Sequence, residues 1–285
     1  MAFTSQILRV WYNSIDMLET LKLIIEEHRT YKPQIFMLAK SDLIKTYRGA
    51  ALGWAWAVIK PTITLFVFWF AFSIGLRSGH PIAGYPFFLW LMAGFLPWFY
   101  MQELIVGGAR CIRKYKHLVT KMKFPVSTIP TYVNLSHLYV HFALLAIVIV
   151  LFALFGHMPD IYLLQIPFYM FLMFAFFTVW SLLGGMLSAI SIDFQNLVNA
   201  MSTAIFWMSG IVYNVDEIPY TWLRVALKFN PVTVIASGYR RAFIYKKWFW
   251  QDKVSLVCFL CTFTLFALGA LWAYHKLRKE IPDVL

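Results

Sequence analysis

Charged residues are scarce in this sequence. Asp, Glu, Lys and Arg make up 13% of its 285 residues, whereas apolar residues make up 61%. Soluble domains carry about 25% charged residues, so the composition excludes an ordinary soluble enzyme and a disordered chain. Several long stretches contain no charged residue at all: 61–76, 78–102, 124–159, 161–192, 194–215 and 254–275.

These uncharged stretches predict an all-α integral membrane protein with six transmembrane helices. A helix needs about 20 mainly apolar residues to cross a bilayer, and the first stretch reaches that length when it is extended back past Lys60. The expected spans are 53–76, 87–109, 126–155, 162–190, 195–213 and 254–275.

Cysteine is rare, and no set of metal ligands stands out. Cys258 and Cys261 have the spacing of a redox or metal pair, but they lie in an apolar stretch, where cysteine packs as a small hydrophobe. His137 and His141 could bind a metal or shuttle protons, yet two ligands without a third favour helix packing. We therefore predict no metal site and no catalytic residue.

Phosphate-binding motifs are absent as well. The pattern G-x-x-x-x-G-K-[ST] does not occur, and neither does the dipeptide Gly-Lys. No cofactor is expected on this chain, so ATP and Mg would bind a separate subunit if ATP drives transport. Glu103 and Asp193 lie near span ends, which gives little support to an ion-coupled mechanism.

The N-terminal residues 1–48 predict a cytoplasmic segment with an amphipathic helix in the membrane interface. Pro33 suits the first turn of a helix, and a basic amphipathic helix tends to lie in the headgroup plane. The alternative is a solvated helix that covers the protein's own core. The expected apolar stripe is Phe36, Ala39, Leu43 and Tyr47.

Charge bias predicts the orientation, because Lys and Arg in short loops stay on the cytoplasmic side. Most of the 25 basic residues fall before the first span, in the link 110–124 or in the tail 276–285. Both termini are therefore expected in the cytoplasm. The segment 214–250 would be external, and its mixture of aromatic and basic residues predicts a structured re-entrant element.

The basic link 110–124 also carries apolar residues at helical spacing. The charges alone would suit anionic lipid headgroups. The apolar set predicts, in addition, a short surface helix able to dock in a groove of a partner. This set is Ile112, Tyr115, Val119 and Met122.

Two further stripes concern helix packing. Span four carries small residues four apart, which allow another helix to approach closely: Ser181, Gly184, Gly185, Ser188 and Ala189. Span five carries a largely polar face, which either lines a wet path or packs through hydrogen bonds: Gln195, Asn199, Ser202, Phe206, Ser209 and Tyr213.

Three motifs, taken in order, carry a resemblance to a known family. They are Tyr47-Arg48 with Leu52-Gly53, Trp56 and Pro61; residues 118–125; and Asn230-Pro231 with Tyr239-Arg240. By these motifs the sequence resembles the polysaccharide-export branch of ABC transporter permeases. Through 75–78 and 124–132 it is most similar to the permeases that export wall teichoic acid in Gram-positive bacteria. Lys60 departs from the Asn that relatives often have there.

The resemblance implies a bacterial plasma-membrane exporter in which two permease copies pair with two ATP-binding subunits. Residues 49–275 would form the ABC-2 transmembrane domain, and the substrate would be a polymer linked to undecaprenyl diphosphate. Membrane lipids are expected neighbours, and nucleic acid is not. Contacts with the ATP-binding subunit are expected at Tyr47, Arg48, Lys114, Tyr115, Lys116, His117, Leu118, Val119 and Asp193.

A path for such a polymer should be polar yet weakly adhesive, and aromatic rings offer faces to sugars without ionic traps. For each aromatic residue, ordinary packing is the alternative. Arg240 and Arg241 could attract external phosphate, or could snorkel to headgroups. The candidate path residues are Trp69, Phe72, Trp90, Trp98, Asn199, Ser202, Phe206, Ser209 and Tyr213.

Three other functions compete with this one. Within the family, the chain could export O-antigen or capsular polysaccharide. A membrane-embedded polyprenyl-phosphate transferase would need clustered acidic residues, yet only 13 Asp and Glu residues are present, without an Asp-x-Asp. A secondary transporter is disfavoured by the lack of charges deep in the spans.

Overall fold

A computed structural model describes residues 17–49, 51–76, 79–122 and 124–285. Over these ranges the chain is helical, and its extended pairing is limited to one isolated bridge, between Ile82 and Tyr85. The all-α prediction is confirmed. Residues 1–16 of the predicted interfacial segment, Arg77 and Ser78 after the first span, and Lys123 of the basic link lie outside the described residues.

Twelve helices follow one another in the described ranges. The first, α1, covers 17–30. The others are α2 Lys32–Tyr47, α3 Trp56–Phe70, α4 Phe87–Lys114, α5 Lys116–Thr120, α6 Thr128–Leu154, α7 Ile166–Ile190, α8 Ile192–Met208, α9 Thr221–Lys228, α10 Pro231–Arg240, α11 Lys253–Leu277 and α12 Ile281–Val284. Short 3-10 or π turns extend α3 (Gly53–Ala55 and Ala71–Gly75), α7 (Ile161–Gln165) and α10 (Arg241–Tyr245).

Among the described residues, five helical segments are long and apolar enough to cross a membrane. They are Gly53–Gly75, Phe87–Thr120, Thr128–Leu154, Ile161–Ile190 and Lys253–Leu277. The chain is thus a multi-pass membrane protein. The sixth predicted span, 195–213, corresponds to α8, which has 17 residues and ends before Gly210, whose φ is +64°. A sixth crossing stays a prediction.

Helix α4 forms the centre of the protein. It packs against α6, α7, α8 and α10, and most of its residues are buried. The small residues of α7 allow this contact, because a Cβ added at Gly184 would lie 3.3 Å from the Cβ of Ala109. One added at Gly185 would lie 2.9 Å from Ile112 Cδ1. The predicted close helix approach is confirmed, and it lies within one chain.

Helix α2 begins near Pro33, as predicted, and packs against α6. Its buried residues are Ile35, Ala39 and Asp42, whereas Phe36 of the expected apolar stripe is 49% exposed. The prediction that Phe36 belongs to the buried face was therefore wrong. The face of α2 that packs against α6 carries Ile35, Ala39 and the carboxylate of Asp42 instead. A helix that covers the protein's own core describes α2 better.

The segment between α8 and α11 is a structured element, as predicted. Its helix α10 packs against α4, α7 and α11, and nine of its residues are buried, including Arg240. Buried backbone groups need hydrogen-bond partners within the protein, and α10 meets this need as a helix among helices. That the element is external and re-entrant remains a prediction.

Candidate functional site

A cleft between α3, α4 and α8 brings together three of the predicted path residues. We call it the α8 cleft. Its volume is about 210 Å³. The ring centroid of Phe206 lies 5.2 Å from that of Trp98 and 5.4 Å from that of Phe68. The lining residues are Thr64, Phe68, Phe95, Trp98, Gln102, Ser202, Thr203 and Phe206.

The polar face of α8 follows from its helical spacing. The hydroxyl of Ser191 caps the helix by accepting from the amide of Phe194 at 3.3 Å. Further along, Ser202 donates to the carbonyl of Asn199 at 2.7 Å, and Asn199 accepts from Arg110 of α4 at 3.0 Å. Asn199 thus lies on the predicted face, but it binds α4 instead of lining the α8 cleft.

Five lining residues of the α8 cleft were not predicted, namely Thr64, Phe68, Phe95, Gln102 and Thr203, and the last two carried a signal in the sequence. Gln102 is an uncharged polar residue next to Glu103, and Thr203 adjoins the predicted Ser202. Both belong to uncharged stretches, in which polar side chains need a partner or a wet surface.

Other predicted path residues serve packing. Ser209 is buried and accepts a hydrogen bond from Asn230 Nδ2 at 2.8 Å. Trp90 is buried and donates to the hydroxyl of Tyr245 at 2.9 Å. The prediction that these two residues line a path is therefore wrong, since their polar groups face other protein groups.

Three more predicted path residues lie outside the α8 cleft. The centroid of Trp69 is 5.9 Å from that of Phe66, and that of Phe72 is 6.4 Å from that of Phe68. Both belong to the part of the chain that contains α3 and its π turn. Tyr213 is half-buried after the end of α8. A role for these three residues in the path stays a prediction.

Arg240 lies inside the protein, 3% exposed. Its guanidinium carbon is 3.5 Å from the ring centroid of Trp90, and its nitrogens donate to the carbonyls of Trp90 at 3.4 Å, Gly210 at 2.6 Å, Tyr213 at 3.4 Å and Ile211. The prediction of a phosphate contact at Arg240 is wrong, because backbone oxygens occupy the donors that phosphate would need.

Arg241 belongs to an outer polar network around a cleft of about 400 Å³. Its guanidinium pairs with Asp252 and lies 3.5 Å from Asp216. Lys228 bridges the same two carboxylates at 3.0 and 3.3 Å. The predicted phosphate contact at Arg241 thus loses its basis, because two carboxylates already balance the charge.

Asp252 is held ionised within this network. Burial of the carboxyl opposes ionisation, but hydrogen bonds from Ser255 and the charges of Arg241 and Lys228 outweigh it and lower the pKa of Asp252 to about 2. Ser255 donates through its amide at 3.1 Å and its hydroxyl at 2.6 Å. Asp252 therefore caps α11 and fastens it to the end of α10.

The predicted coupling residues divide into exposed and buried groups. Tyr115, Leu118 and Val119 are buried, as is Ile112 of the expected docking stripe, whereas Met122 is 68% exposed. The apolar side of the link, apart from Met122, thus packs against the protein's own core, and its contact with a partner stays a prediction. The exposed coupling candidates are Arg48, Lys114, Lys116, His117 and Asp193, with Tyr47 half-buried.

Asp42 of α2 binds this link, and it was not among the predicted residues. Its carboxylate is 5% exposed and accepts from the hydroxyl of Tyr115, from Ser136 at 2.8 Å and from Lys114 at 3.4 Å. The available signal was its position three residues after Ala39, which places a carboxylate on the buried face of a helix.

Comparison with known proteins identifies relatives along most of the chain. The family model described as ABC-2 type transporter matches residues 33–244. The chain is similar to the O-antigen export system permease protein RfbA of Myxococcus xanthus, with 25% identity over 77% of this chain and 84% of that protein. It is also similar to the protein of the same name from Klebsiella pneumoniae, with 22% identity over 88% and 94%.

Proposed function

The chain belongs to the ABC-2 type transporter family, and we propose that it is the permease subunit of an ATP-driven exporter of an O-antigen-type polysaccharide. The observation that carries this proposal is the alignment with two O-antigen export permeases over 77% and 88% of the chain. Neither of these relatives supports the wall teichoic acid prediction, so the O-antigen alternative becomes the main proposal.

The chemistry of the α8 cleft supports a saccharide substrate. None of its lining residues is charged, so a neutral sugar chain meets no ionic trap there. The rings of Trp98 and Phe206 offer flat apolar faces, while Gln102, Ser202 and Thr203 offer groups that exchange hydrogen bonds with hydroxyls. A weakly adhesive surface of this kind suits a polymer that must keep moving.

A second copy of the chain would complete the cleft. Thr203 is exposed at its rim, and only 6% of the apolar stretch in Gly53–Gly75 is buried. Polar groups that face hydrocarbon are costly, whereas helix contacts in bilayers tolerate them through hydrogen bonds. We therefore propose a homodimer whose path lies between the α3 and α8 helices of the two copies.

Energy would come from two copies of a separate ATP-binding subunit. The exposed polar groups at the ends of α2, α4, α5 and α8 form the proposed contact surface: Arg48, Lys114, Lys116, His117 and Asp193. A polyprenyl-diphosphate carrier would anchor the polymer, which would enter from the cytoplasmic side if both termini lie there.

The decisive experiment is to delete the chain in its host while the ATP-binding subunit stays intact. We expect surface polysaccharide to disappear and a lipid-linked sugar polymer to accumulate inside, with both changes reversed by the restored chain. Chemical analysis of the accumulated polymer distinguishes export of an O-antigen-type polysaccharide from export of wall teichoic acid. A polyol-phosphate polymer would restore the teichoic acid reading, and undiminished surface polysaccharide would overturn an export role.

A pull-down from native membranes tests the partner independently. The tagged chain should bring down an ATP-binding subunit whose hydrolysis rises with lipid-linked precursor. Recovery of the chain alone, without ATPase activity, would contradict the proposed complex.

A further inference from the structure

A second groove runs along the other side of α3, between α3, α4 and α6. We call it the lateral groove. It consists of two adjoining cavities of about 180 and 280 Å³, which share Pro61, Phe99 and Leu144 as lining residues. Together they reach the size of ligand sites, roughly 300–1,000 Å³. The α8 cleft shares Thr64 and Gln102 with the larger cavity and no lining residue with the smaller one.

The smaller cavity is almost entirely apolar, with Thr62 as its single polar lining side chain. It lies between segments that are long enough to cross a membrane. At its edges, Phe66 is 57% exposed and Ile147 is 36% exposed. The lateral groove therefore opens toward the surface that these helices present to hydrocarbon, and it is complementary to an aliphatic chain.

The larger cavity is polar and lies nearer to α2. Thr46 and Tyr47 of α2 line it, together with His137 of α6. At its mouth, Lys60 Nζ is 2.8 Å from Glu103 Oε1. The side chains of Lys60 and Glu103 are 71% and 48% exposed, so this ion pair is accessible and only weakly held.

The order of these residues along the helices gives the lateral groove a direction. On α3, Lys60 lines the polar cavity and Phe66, further along the helix, lines the apolar cavity. On α6, His137 lines the polar cavity and Leu151, further along, lines the apolar cavity. The lateral groove is thus charged at one end and apolar along the rest, which is the pattern of an amphiphile with its head near α2.

We propose that the lateral groove binds one bilayer phospholipid with an ethanolamine-type headgroup. The phosphate would accept from Lys60 and the primary ammonium would donate to Glu103, so the headgroup replaces one direct ion pair by two. A choline headgroup has no N–H to donate, and a glycerol headgroup brings no cation to Glu103. The acyl chain fills the apolar cavity. The cavity for the acyl chain shares no lining residue with the α8 cleft, whereas the headgroup cavity adjoins the cleft at Thr64 and Gln102.

The test uses the full-length purified chain, freed of lipid in detergent, and native mass spectrometry to count bound lipids. The probes are phosphatidylethanolamine, phosphatidylcholine and phosphatidylglycerol with identical oleoyl chains. We expect one phosphatidylethanolamine per chain, bound about fivefold more tightly than either of the others, because only it makes both charge-assisted contacts.

Variants at the charged end separate the two contacts. Glu103→Gln should abolish the preference for phosphatidylethanolamine over phosphatidylcholine without preventing binding. Lys60→Gln should weaken all three lipids. This change in the order of preference distinguishes a binding role from damage to folding, which would affect every lipid alike without reordering them.

Variants at the apolar end test the place of the acyl chain. Ile147→Trp should fill the lateral groove and weaken all three lipids, whereas Val150→Trp, on the same helix, 58% exposed and outside the lining, should leave binding unchanged. Equal binding of the three lipids by the native chain would overturn the proposal. So would displacement of phosphatidylethanolamine by a tenfold lower concentration of polyprenyl diphosphate, which would make the groove a substrate site.

Discussion

The first two membrane helices, neighbours in the chain and in space, differ sharply in their surroundings. In the apolar stretch of Gly53–Gly75, which contains α3, 6% of residues are buried, whereas in Phe87–Thr120, which contains α4, 78% are buried. One helix forms an edge of the protein and the other its centre, although both are long apolar segments.

The difference shows that hydropathy and burial are separate properties in a membrane protein. Of the five described segments that are long and apolar enough to cross a membrane, the one with α4 has the lowest mean hydropathy and the largest buried share. Lipid tails are as apolar as leucine, so the hydrophobic effect does not drive helices together inside a bilayer. Close packing and hydrogen bonds hold them together instead. Gly94, Gly108 and Ala109 on α4 provide that close contact.

The largest effect should come from truncating a phenylalanine of α4, with a phenylalanine of α3 as the matched control. Phe95 of α4 is fully buried, whereas Phe70 of α3 is 50% exposed. We expect Phe95→Ala to lower the free energy of unfolding by about 3 kcal/mol, the low end for such cavities because lipid replaces water as the reference. Phe70→Ala should change it by less than about 0.5 kcal/mol. Denaturant titration in detergent measures both.

This pair of variants also tests the proposed homodimer. If Phe70→Ala destabilises the purified protein as much as Phe95→Ala does, α3 must be covered by another surface in solution. Size-exclusion chromatography with light scattering would then show whether that surface is a second copy of the chain.

A smaller effect should come from two adjacent glycines of α4. A Cβ at Gly108 would collide with the hydroxyl of Ser181 on α7 and lie 3.1 Å from its Cβ, whereas a Cβ at Gly107 would meet nothing within 4 Å. We expect Gly108→Val to cost about 2 kcal/mol from overpacking and Gly107→Val to cost well under half of that. Thermal unfolding in detergent compares them, and equal losses would show that the helix backbone, not the α4–α7 contact, is responsible.

A still smaller effect on stability is expected from the ionisation of Asp252, which lies outside both helices. Because the pKa of Asp252 is about 2 in the folded chain, below its ordinary 3.8, its ionised form stabilises the fold above about pH 3.8. That stability, about 1 kcal/mol, should be lost as the pH falls from 3.8 toward 2. Unfolding midpoints of the native chain and of Asp252→Asn should converge over this range. A constant gap between them would contradict the prediction.

The smallest change in stability, with a large change in function, is expected at the α8 cleft. Ser202→Trp should fill the cleft and stop polysaccharide export while the chain folds and binds its ATP-binding subunit normally. Met201→Trp, one residue away, 49% exposed and outside the cleft, is the matched control for expression and stability. Normal export by Ser202→Trp would remove the cleft from the proposed path.

The sequence predicted most of the fold because its signals were local. Uncharged stretches located the five described segments that are long and apolar enough to cross a membrane. Pro33 marked the start of α2, and the spacing of Ser181 and Gly185 indicated close contact with another helix. Each of these features depends on a residue and its immediate neighbours along one helix, so no knowledge of the tertiary structure was needed.

The sequence failed where the side of a helix had to be assigned. Tyr115 and Val119 form an apolar stripe that fits an external groove as well as the protein's own core, and the structure places it in the core. Arg240 could equally have snorkelled to headgroups. Its burial depends on carbonyls freed where the chain turns at Gly210 and Ile211, a tertiary arrangement that no spacing in the sequence reveals.

The buried guanidinium of Arg240 also constrains how the protein is made. Synthesis runs from the N-terminus, so Trp90 and the carbonyls of 210–213 reach the membrane before Arg240 does. An arginine without partners in hydrocarbon is expensive, and every backbone acceptor that Arg240 uses here precedes it in the chain. Burial of Arg240 is therefore conditional on α4 and on residues 210–213, and chains in which either part is missing should expose Arg240 to quality-control proteases during biogenesis.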